Sequence, residues 1–521
     1  MTDSFAPFYS DAAVFENALA AADSPTTTQK VSGITLPHHL LAADLIAAGL
    51  AQISEQKYDK IVIITPDHFG RGGTVFSTTK KNFRTIFGAV SVDQDSASQL
   101  LSNPLITESN LFSHEHGVRV FLPFLRKYFP DTPIAPLAIK ISATPEELRN
   151  LISSLPEILT PATLILQSTD FSHYLPEENA EIQDQKTLRA LASGNPDVIF
   201  ALDEPDNLDS RGAQFVQFSL QKNFFGASPA VFANRNSQFY SDEPVAETTS
   251  YLVQFWSAEP LDFPNEKYFF AGDTFFGRGI WEKFSNEARR EKMLQKILEI
   301  THGAKMIINL EGVIRASCGE AANPYELCIP LDFALPIFQR LNIVAVGLAN
   351  NHRHDFGEAG YTEMKRLLSD NSIAFFESDE PVEFPEFELA AFTDLDNYGI
   401  PRYQPIIQKS DLDFLGESAN SKPRFAFIHW GSEFVIEPNS RDRELAAWLR
   451  ERGVELIIGS HSHRASELKC DLDFCQIFSL GNFIFDQPWD YTSGKILEID
   501  FFENGNYFLK THGIPNFYTD F

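Results

Sequence analysis

The chain has 521 residues, room for two large domains at roughly 100 to 200 residues each. Hydrophobic residues make up 43% and charged residues 22%, ordinary globular usage that suggests neither a disordered chain nor a membrane protein. Acidic side chains number 71 against 42 basic, a formal net charge of −29. Such a surface repels a phosphate backbone and excludes nucleic acid as a main partner, but an anion held through a metal stays open.

Along the chain, the opening stretch MTDSFAPFYSDAAVFENALAAADS has no basic region followed by an apolar core. A secretory signal is therefore not expected, and a cytoplasmic location is. Apolar runs such as KIVIITPDHF and TLILQSTDF reach only strand length, so no membrane span is expected. Strand-like runs at about 31–37, 60–66, 162–169 and 229–233 alternate with helical periodicity at about 40–56, 179–193 and 212–222. That rhythm predicts an α/β domain with a parallel or mixed sheet. Histidines gather here at His38, His39, His68, His114, His116 and His173, beside Glu115 and Asp170. His38, His68 and Asp170 each follow an apolar run, and strand ends of this kind converge on ligand crevices.

Two prolines and acidic residues in FWSAEPLDFPNEKYFFAGD mark a boundary, giving domains 1–258 and 259–521. Beyond it, the runs KYFFAGD, AKMIINLEG, NIVAVGLANNH, RFAFIHWGS and VELIIGSHSH are separated by helical segments near 285–300, 332–340, 358–369 and 441–452. The tail from about 495 reads as a hairpin. Each of the five runs ends in polar or ionisable residues: Asp273, Glu311, Asn351 with His352, His429, and His461 with His463. Carboxylate, amide and imidazole groups from several strand ends are the ligand set for a pair of divalent cations. His461 and His463 are expected to share a face as alternate residues of an extended segment. Glycines beside most of them, Gly272, Gly312, Gly347, Gly431 and Gly459, are expected to allow sharp turns and leave room for a ligand. Glu433, Arg278 and Arg353 are candidates for a supporting or anion-contacting role.

The order G-D, N-L-E, N-N-H, H-W-G and G-x-H-x-H, followed by SLGNFIFD, resembles the CapA (poly-gamma-glutamate capsule biosynthesis) family, a branch of the calcineurin-like metallophosphoesterases. The resemblance spans about 267–490 and implies a four-layer α/β/β/α sandwich. It implies Asp273 and His463 on one metal, Asn351, His429 and His461 on the other, Glu311 bridging, and His352 beside the metals as a proton donor or phosphoryl contact. Thr274 and Phe275 stand where the wider phosphoesterases carry a further histidine. In the first half, LPHHL, IITPDHF, EHGVRVFLPFL and STDFSHY resemble the Memo family (AmmeMemoRadiSam system protein B), whose fold is similar to class III extradiol dioxygenases. That match covers about 30–255 and implies a pocket of His38, His68, Glu115, His116, Asp170 and His173, with a possible metal. The family's cysteine is missing: NLDSRGAQF has Ser210 and Arg211 before Gly212.

The expectation is a two-domain α/β fusion acting as a metal-dependent hydrolase, phosphoesterase in type, on a small-molecule or polymer substrate. Two ions are expected in the second domain, and manganese, iron or zinc suit the mixed nitrogen and oxygen donors better than magnesium. The alternatives are a non-hydrolytic CapA-type protein of poly-gamma-glutamate or capsule polymer biosynthesis, and a Memo-like protein of oxidative chemistry. Cys318 with Cys328 and Cys470 with Cys475 have spacings that permit disulfides, but without an export signal reduced thiols are expected.

Overall fold

The computed structural model describes residues 4–22, 26–319, 323, 325–377, 382–395, 422–489 and 493–521. The chain divides into two compact units, Met1–Asn265 with Phe502–Asn506, and Glu266–Phe501 with Tyr507–Phe521.

In the first unit the apolar runs form strands Val31–Leu36, Lys60–Pro66, Thr163–Ser168 and Ser228–Asn236. Thr163–Ser168 lies between Val31–Leu36 and Lys60–Pro66, parallel to both, in a nine-stranded sheet. Ile134–Ile139 continues the parallel run, and Thr248–Ser257 pairs antiparallel with Val31–Leu36, so the sheet is mixed. All residues of Val31–Leu36 and Thr163–Ser168 are buried, which explains their unbroken apolar character. Helix Ala43–Ala51 sends Leu45, Ile46 and Leu50 into the core with Ile34, Leu36 and Val253. Three adjacent parallel strands thus end on one rim, just before His38, His68 and Asp170.

The second unit stacks two sheets between helices. One sheet runs in the order Ala374–Phe376, Ile343–Gly347, Lys305–Leu310, Glu266–Thr274, Gly494–Phe501 and Tyr507–Ile514, the last two forming the antiparallel hairpin. Phe269, Ala271, Met306 and Ile308 form a core with Met293, Ile297, Ile337 and Met364 of helices Glu287–Thr301, Leu331–Arg340 and Gly357–Asp370. The alternating residues Tyr268 and Phe270 meet Phe427 of the second sheet and Phe387, which leads into it, instead. That sheet places Glu388–Thr393, Arg424–His429 and Val454–Ser460 side by side, all parallel. Its far face buries Ala426, Ile428 and Ile457 under Leu445 and Leu449 of helix Ser440–Glu451. The result is a four-layer α/β/β/α sandwich. Among the described residues no helix is long and apolar enough to cross a membrane.

Phe387 is fully buried between the sheets, with ring centroids 4.9 Å from Tyr268, 5.0 Å from Phe425 and 5.6 Å from Phe501. Truncation to alanine is expected to destabilise this unit by about 3–5 kcal/mol through lost burial and a cavity. Denaturant unfolding checks it, and a loss below about 1 kcal/mol would show that the inter-sheet layer tolerates the void.

Two expectations need correcting. Gly272 and Gly459 leave room for backbone, not ligand: a Cβ would lie 2.1 Å from the Gly481 carbonyl oxygen and 1.8 Å from that of Phe478. The cysteines are not reduced thiols, because Cys318 is joined to Cys328 and Cys470 to Cys475. Strand pairing brings the second pair together, with Cys470 directly opposite Cys475 in an antiparallel register, and composition cannot reveal that proximity. Disulfides persist chiefly in oxidising compartments, so the thiol state gives the cytoplasmic expectation no support.

Candidate metal sites

In the second unit, the carboxyl ends of five parallel strands carry the predicted groups. Asp273 lies near the end of Glu266–Thr274, Glu311 follows Lys305–Leu310, Asn351 and His352 follow Ile343–Gly347, His429 ends Arg424–His429, and His461 and His463 follow Val454–Ser460. Asp273, Glu311, Asn351, His429, His461 and His463 are all buried. Ligand atoms of Asp273, Glu311 and His463 lie within 4.8 Å of one another. The Asp273 carboxylate accepts the His461 backbone N–H at 3.0 Å and stands 3.3 Å from His463 Nδ1. A second group adjoins it: His429 Nε2 is 2.8 Å from Asn351 Oδ1 and 3.1 Å from His461 Nδ1.

His461 and His463 meet the site in another way than expected. Both have positive φ, 88° and 55°, so a left-handed turn after the strand, not strand alternation, aims the two rings. Non-glycine residues adopt such angles at a cost that the surrounding structure must meet, a feature concentrated at functional sites.

The electrostatics favour a cation. Burial, then the neighbouring carboxylates of Asp273, Glu433 and Asp355, push the Glu311 pKa well above the ordinary range. Burial, then the neighbouring imidazoles, push His429 and His461 well below theirs. Glu311 Oε2 and His461 Nε2 are buried with no hydrogen-bond partner among the described residues. Orphaned acceptors beside a carboxylate cluster are costly unless a cation meets them. The donor set and these two orphaned atoms fit a divalent metal.

Several supporting residues were not predicted. Asn309 donates to Asp273 Oδ1 at 2.8 Å and stands 3.1 Å from His429 Nδ1. Asn482 Oδ1 lies 2.7 Å from His463 Nδ1, and Ser460 Oγ lies 3.0 Å from His429 Nδ1. Asp355 Oδ2 is 2.8 Å from His352 Nδ1, while His352 Nε2 lies 3.6 Å from Glu311 Oε1. Asn309 and Asn482 sit inside the quoted stretches NLE and GNFIFD, and Asp355 is three residues past His352, so the only signal was adjacency to ligands. Of the arginines, Arg278 pairs with Asp486 at 2.7 Å and Arg353 donates to the Asn350 carbonyl at 3.1 Å; Glu433 is exposed.

In the first unit, His38, His68 and His116 gather with ring centroids 4.2 to 5.0 Å apart and ligand atoms within 4.8 Å. Asp170 accepts the His38 backbone N–H at 2.8 Å, and Glu115 faces His68 Nδ1 at 2.6 Å. His173 is not in this group: its Nδ1 faces the Phe171 carbonyl and its ring lies beside Tyr174. The acid that joins the imidazoles is Asp209, unpredicted, with Oδ2 3.1 Å from His38 Nε2 and 3.3 Å from His68 Nε2. Ser210 instead caps helix Arg211–Leu220, and Arg211 pairs with Glu204 at 3.3 Å. The missing thiolate is thus answered one residue earlier by a hard carboxylate, whose Oδ1 is buried with no partner among the described residues. Burial lowers the His68 pKa, but hydrogen bonds with Asp209 and Glu115 outweigh it and lift the value to about 10. Burial, then the charges of His38 and His68, lowers His116 to about 4. Imidazoles perturbed in opposite directions beside Glu115 and Asp209 mark the crevice as a candidate functional site.

Both units are thus α/β domains presenting imidazole and carboxylate groups at the carboxyl ends of parallel strands. Residues 11–237 match the family model for Memo-like protein, and residues 267–377 and 421–487 match that for bacterial capsule synthesis protein PGA_cap. The chain is a fusion of a Memo-like domain and a CapA-like domain. Among relatives, a MEMO1 family protein of Thermotoga petrophila is 28% identical over 211 residues, 39% of this chain and 76% of the relative. The PGA biosynthesis protein CapA of Bacillus subtilis is 24% identical over 317 residues, 57% of this chain and 79% of the relative. A solved structure described as a novel phosphatase, from Mycoplasma pneumoniae, aligns with TM-score 0.32 at 11% identity over 48% of this chain and 94% of that one.

Proposed function

We propose that the CapA-like unit is a metal-dependent hydrolase of phosphoesters. The reading is carried by Glu311 Oε2 and His461 Nε2, buried and unpartnered among the described residues, beside His429, whose Nε2 reaches Asn351 Oδ1 and His461 Nδ1, and Asp273, which accepts the His461 backbone N–H. Asp273 and His463 would hold one ion, Asn351, His429 and His461 another, with Glu311 between. Manganese, iron or zinc bound there supplies an acidified water and neutralises phosphoryl charge. His352, half-buried at the edge of the group, turns Nε2 toward Glu311 while Asp355 holds Nδ1. That tethering orients Nε2 to donate a proton to a departing oxygen.

Chelator-stripped protein assayed with p-nitrophenyl phosphate tests this. Turnover restored by manganese, iron or zinc is expected; bound metal without turnover on any phosphoester would remove the hydrolase reading. That outcome would favour a second one, non-hydrolytic handling of poly-gamma-glutamate or a capsule polymer. The similarity to a relative named for PGA biosynthesis supports it, as does Thr274, which bonds to the Gly272 carbonyl at 2.9 Å and offers no imidazole.

For the Memo-like unit we infer a pocket that holds one divalent cation through His38, His68 and His116, with Asp209 as its acid. A hard carboxylate in place of thiolate disfavours copper and the oxidative reading, which oxygen uptake with added iron or copper tests directly. Asp209→Ala is expected to cost this pocket its metal, weakening affinity by about 10- to 100-fold if Asp209 acts only by orienting the imidazoles. Titration of the full chain by calorimetry checks it, with phosphoester turnover unchanged.

A further inference from the structure

We propose that the Cys318–Cys328 disulfide positions His352, making the CapA-like site sensitive to thiol reductants. The proposal rests on the hydrolase reading of the same site and adds a control to it.

The bond joins two segments that both reach the site. Upstream of Cys318, strand Val313–Arg315 emerges directly from Glu311 and Gly312. Downstream, Cys328 opens strand Cys328–Pro330, which pairs in parallel with Val313–Arg315, Val313 opposite Cys328. Leu327, the residue before the cysteine, is buried and its backbone is held on both sides: its carbonyl accepts from Val313 N–H at 2.8 Å, and its own N–H donates to Asp355 Oδ2 at 2.8 Å. The same Asp355 oxygen stands 2.8 Å from His352 Nδ1, and His352 Nε2 faces Glu311 Oε1 at 3.6 Å. A closed circuit therefore runs from Glu311 through Val313, Leu327, Asp355 and His352 back to Glu311.

The downstream arm is anchored by the buried side chains of Leu327 and Ile329, and its register is set by pairing with Val313–Arg315. The two paired strands are three residues each, a two-stranded ribbon too short to be stable alone. Gly312 takes φ of 130° where the Leu327 carbonyl oxygen passes 2.8 Å from the position of a Cβ, so the arm needs close registration as well. The disulfide reinforces that register by closing the loop between residues ten apart in sequence. Both cysteines are half-buried and flanked by exposed Ala316, Ser317, Gly319 and Tyr325, so a small dithiol can reach the sulfurs. The exchange is a two-electron step: the dithiol is oxidised to its own disulfide, the Cys318–Cys328 bond breaks, and the two protons pass to the cysteine sulfurs. Freed of the bond, the arm lets the Leu327 amide leave Asp355, and the His352 ring loses its fixed orientation.

The second disulfide is a built-in control, since Cys470–Cys475 staples the edge hairpin Leu468–Cys470 with Cys475–Ile477. The test uses the full chain as oxidised wild type, dithiothreitol-treated wild type, Cys318→Ser/Cys328→Ser and Cys470→Ser/Cys475→Ser, each assayed with manganese and p-nitrophenyl phosphate. Reduction is expected to lower kcat by about 10-fold or more with KM and bound manganese unchanged, the pattern of a lost transition-state contact. The first double variant should show that low kcat without further response to reductant, and the second should keep both the activity and the response. Equal kcat in oxidised and reduced wild type, loss of manganese in step with activity, or an effect carried by the 470–475 pair would each overturn the proposal. If no form turns over any phosphoester, the hydrolase reading fails, and amide hydrogen exchange at residues 325–330 and 350–357 decides this one separately. Faster exchange at both segments on reduction supports the coupling, and unchanged exchange refutes it.

Discussion

Replacing His461 with alanine is expected to release at least one equivalent of metal and to lower phosphoester turnover by about 10²- to 10⁴-fold, the range that several kcal/mol of lost charge stabilisation implies. The side chain is almost wholly buried, one ring nitrogen is 3.1 Å from His429 Nε2, and the other has no partner among the described residues. Its backbone N–H meets Asp273 at 3.0 Å and survives the substitution, so the carboxylate keeps part of its support. Metal analysis and kinetics on the same preparation check the expectation, with circular dichroism confirming the fold. Full metal content in an active variant would show that His461 is a core histidine and no ligand.

The second large effect concerns His352. His352→Gln is expected to lower kcat by about 10²- to 10⁴-fold, as for loss of a general acid, with the metal content intact. The loss should grow as the leaving group becomes more basic: p-nitrophenyl phosphate, which departs readily as an anion, should suffer less than an alkyl ester. Asp355→Asn should fall in the same direction by a smaller factor, because the amide still meets His352 Nδ1 but no longer supports a positive charge on the ring. A uniform loss across leaving groups would indicate that His352 binds the phosphoryl group instead.

How much of this could be read from the residues depends on the kind of information each feature needs. Strand ends were legible because a buried parallel strand is a continuous apolar run, and Asp273, Glu311, His429 and His461 stand where such runs stop. The elements flanking them were not. Ile134–Ile139 contains a proline and Thr248–Ser257 is interrupted by polar residues, so neither gives the clean run of its neighbours, although both are central to the first sheet. Supporting groups such as Asn309, Asn482 and Asp355 act through one hydrogen bond each, and a single asparagine carries no periodicity. Asp209 has no signature of its own, because whether residue 209 or 210 faces the pocket depends on where helix Arg211–Leu220 begins, which Ser210 fixes by capping it. The left-handed turn at His461 and His463 has no local signature, and the cysteine spacings permit the two disulfides without requiring them, since bonding depends on strand pairing and redox state.

Crystals of the full chain soaked in manganese and measured at the metal's absorption edge test the central claim most directly. Two anomalous peaks are expected roughly 3.5 to 4 Å apart, the spacing of two-metal sites, lying among Asp273, Glu311, Asn351, His429, His461 and His463. Crystals saturated with manganese that show no peak among those six side chains would contradict the assignment.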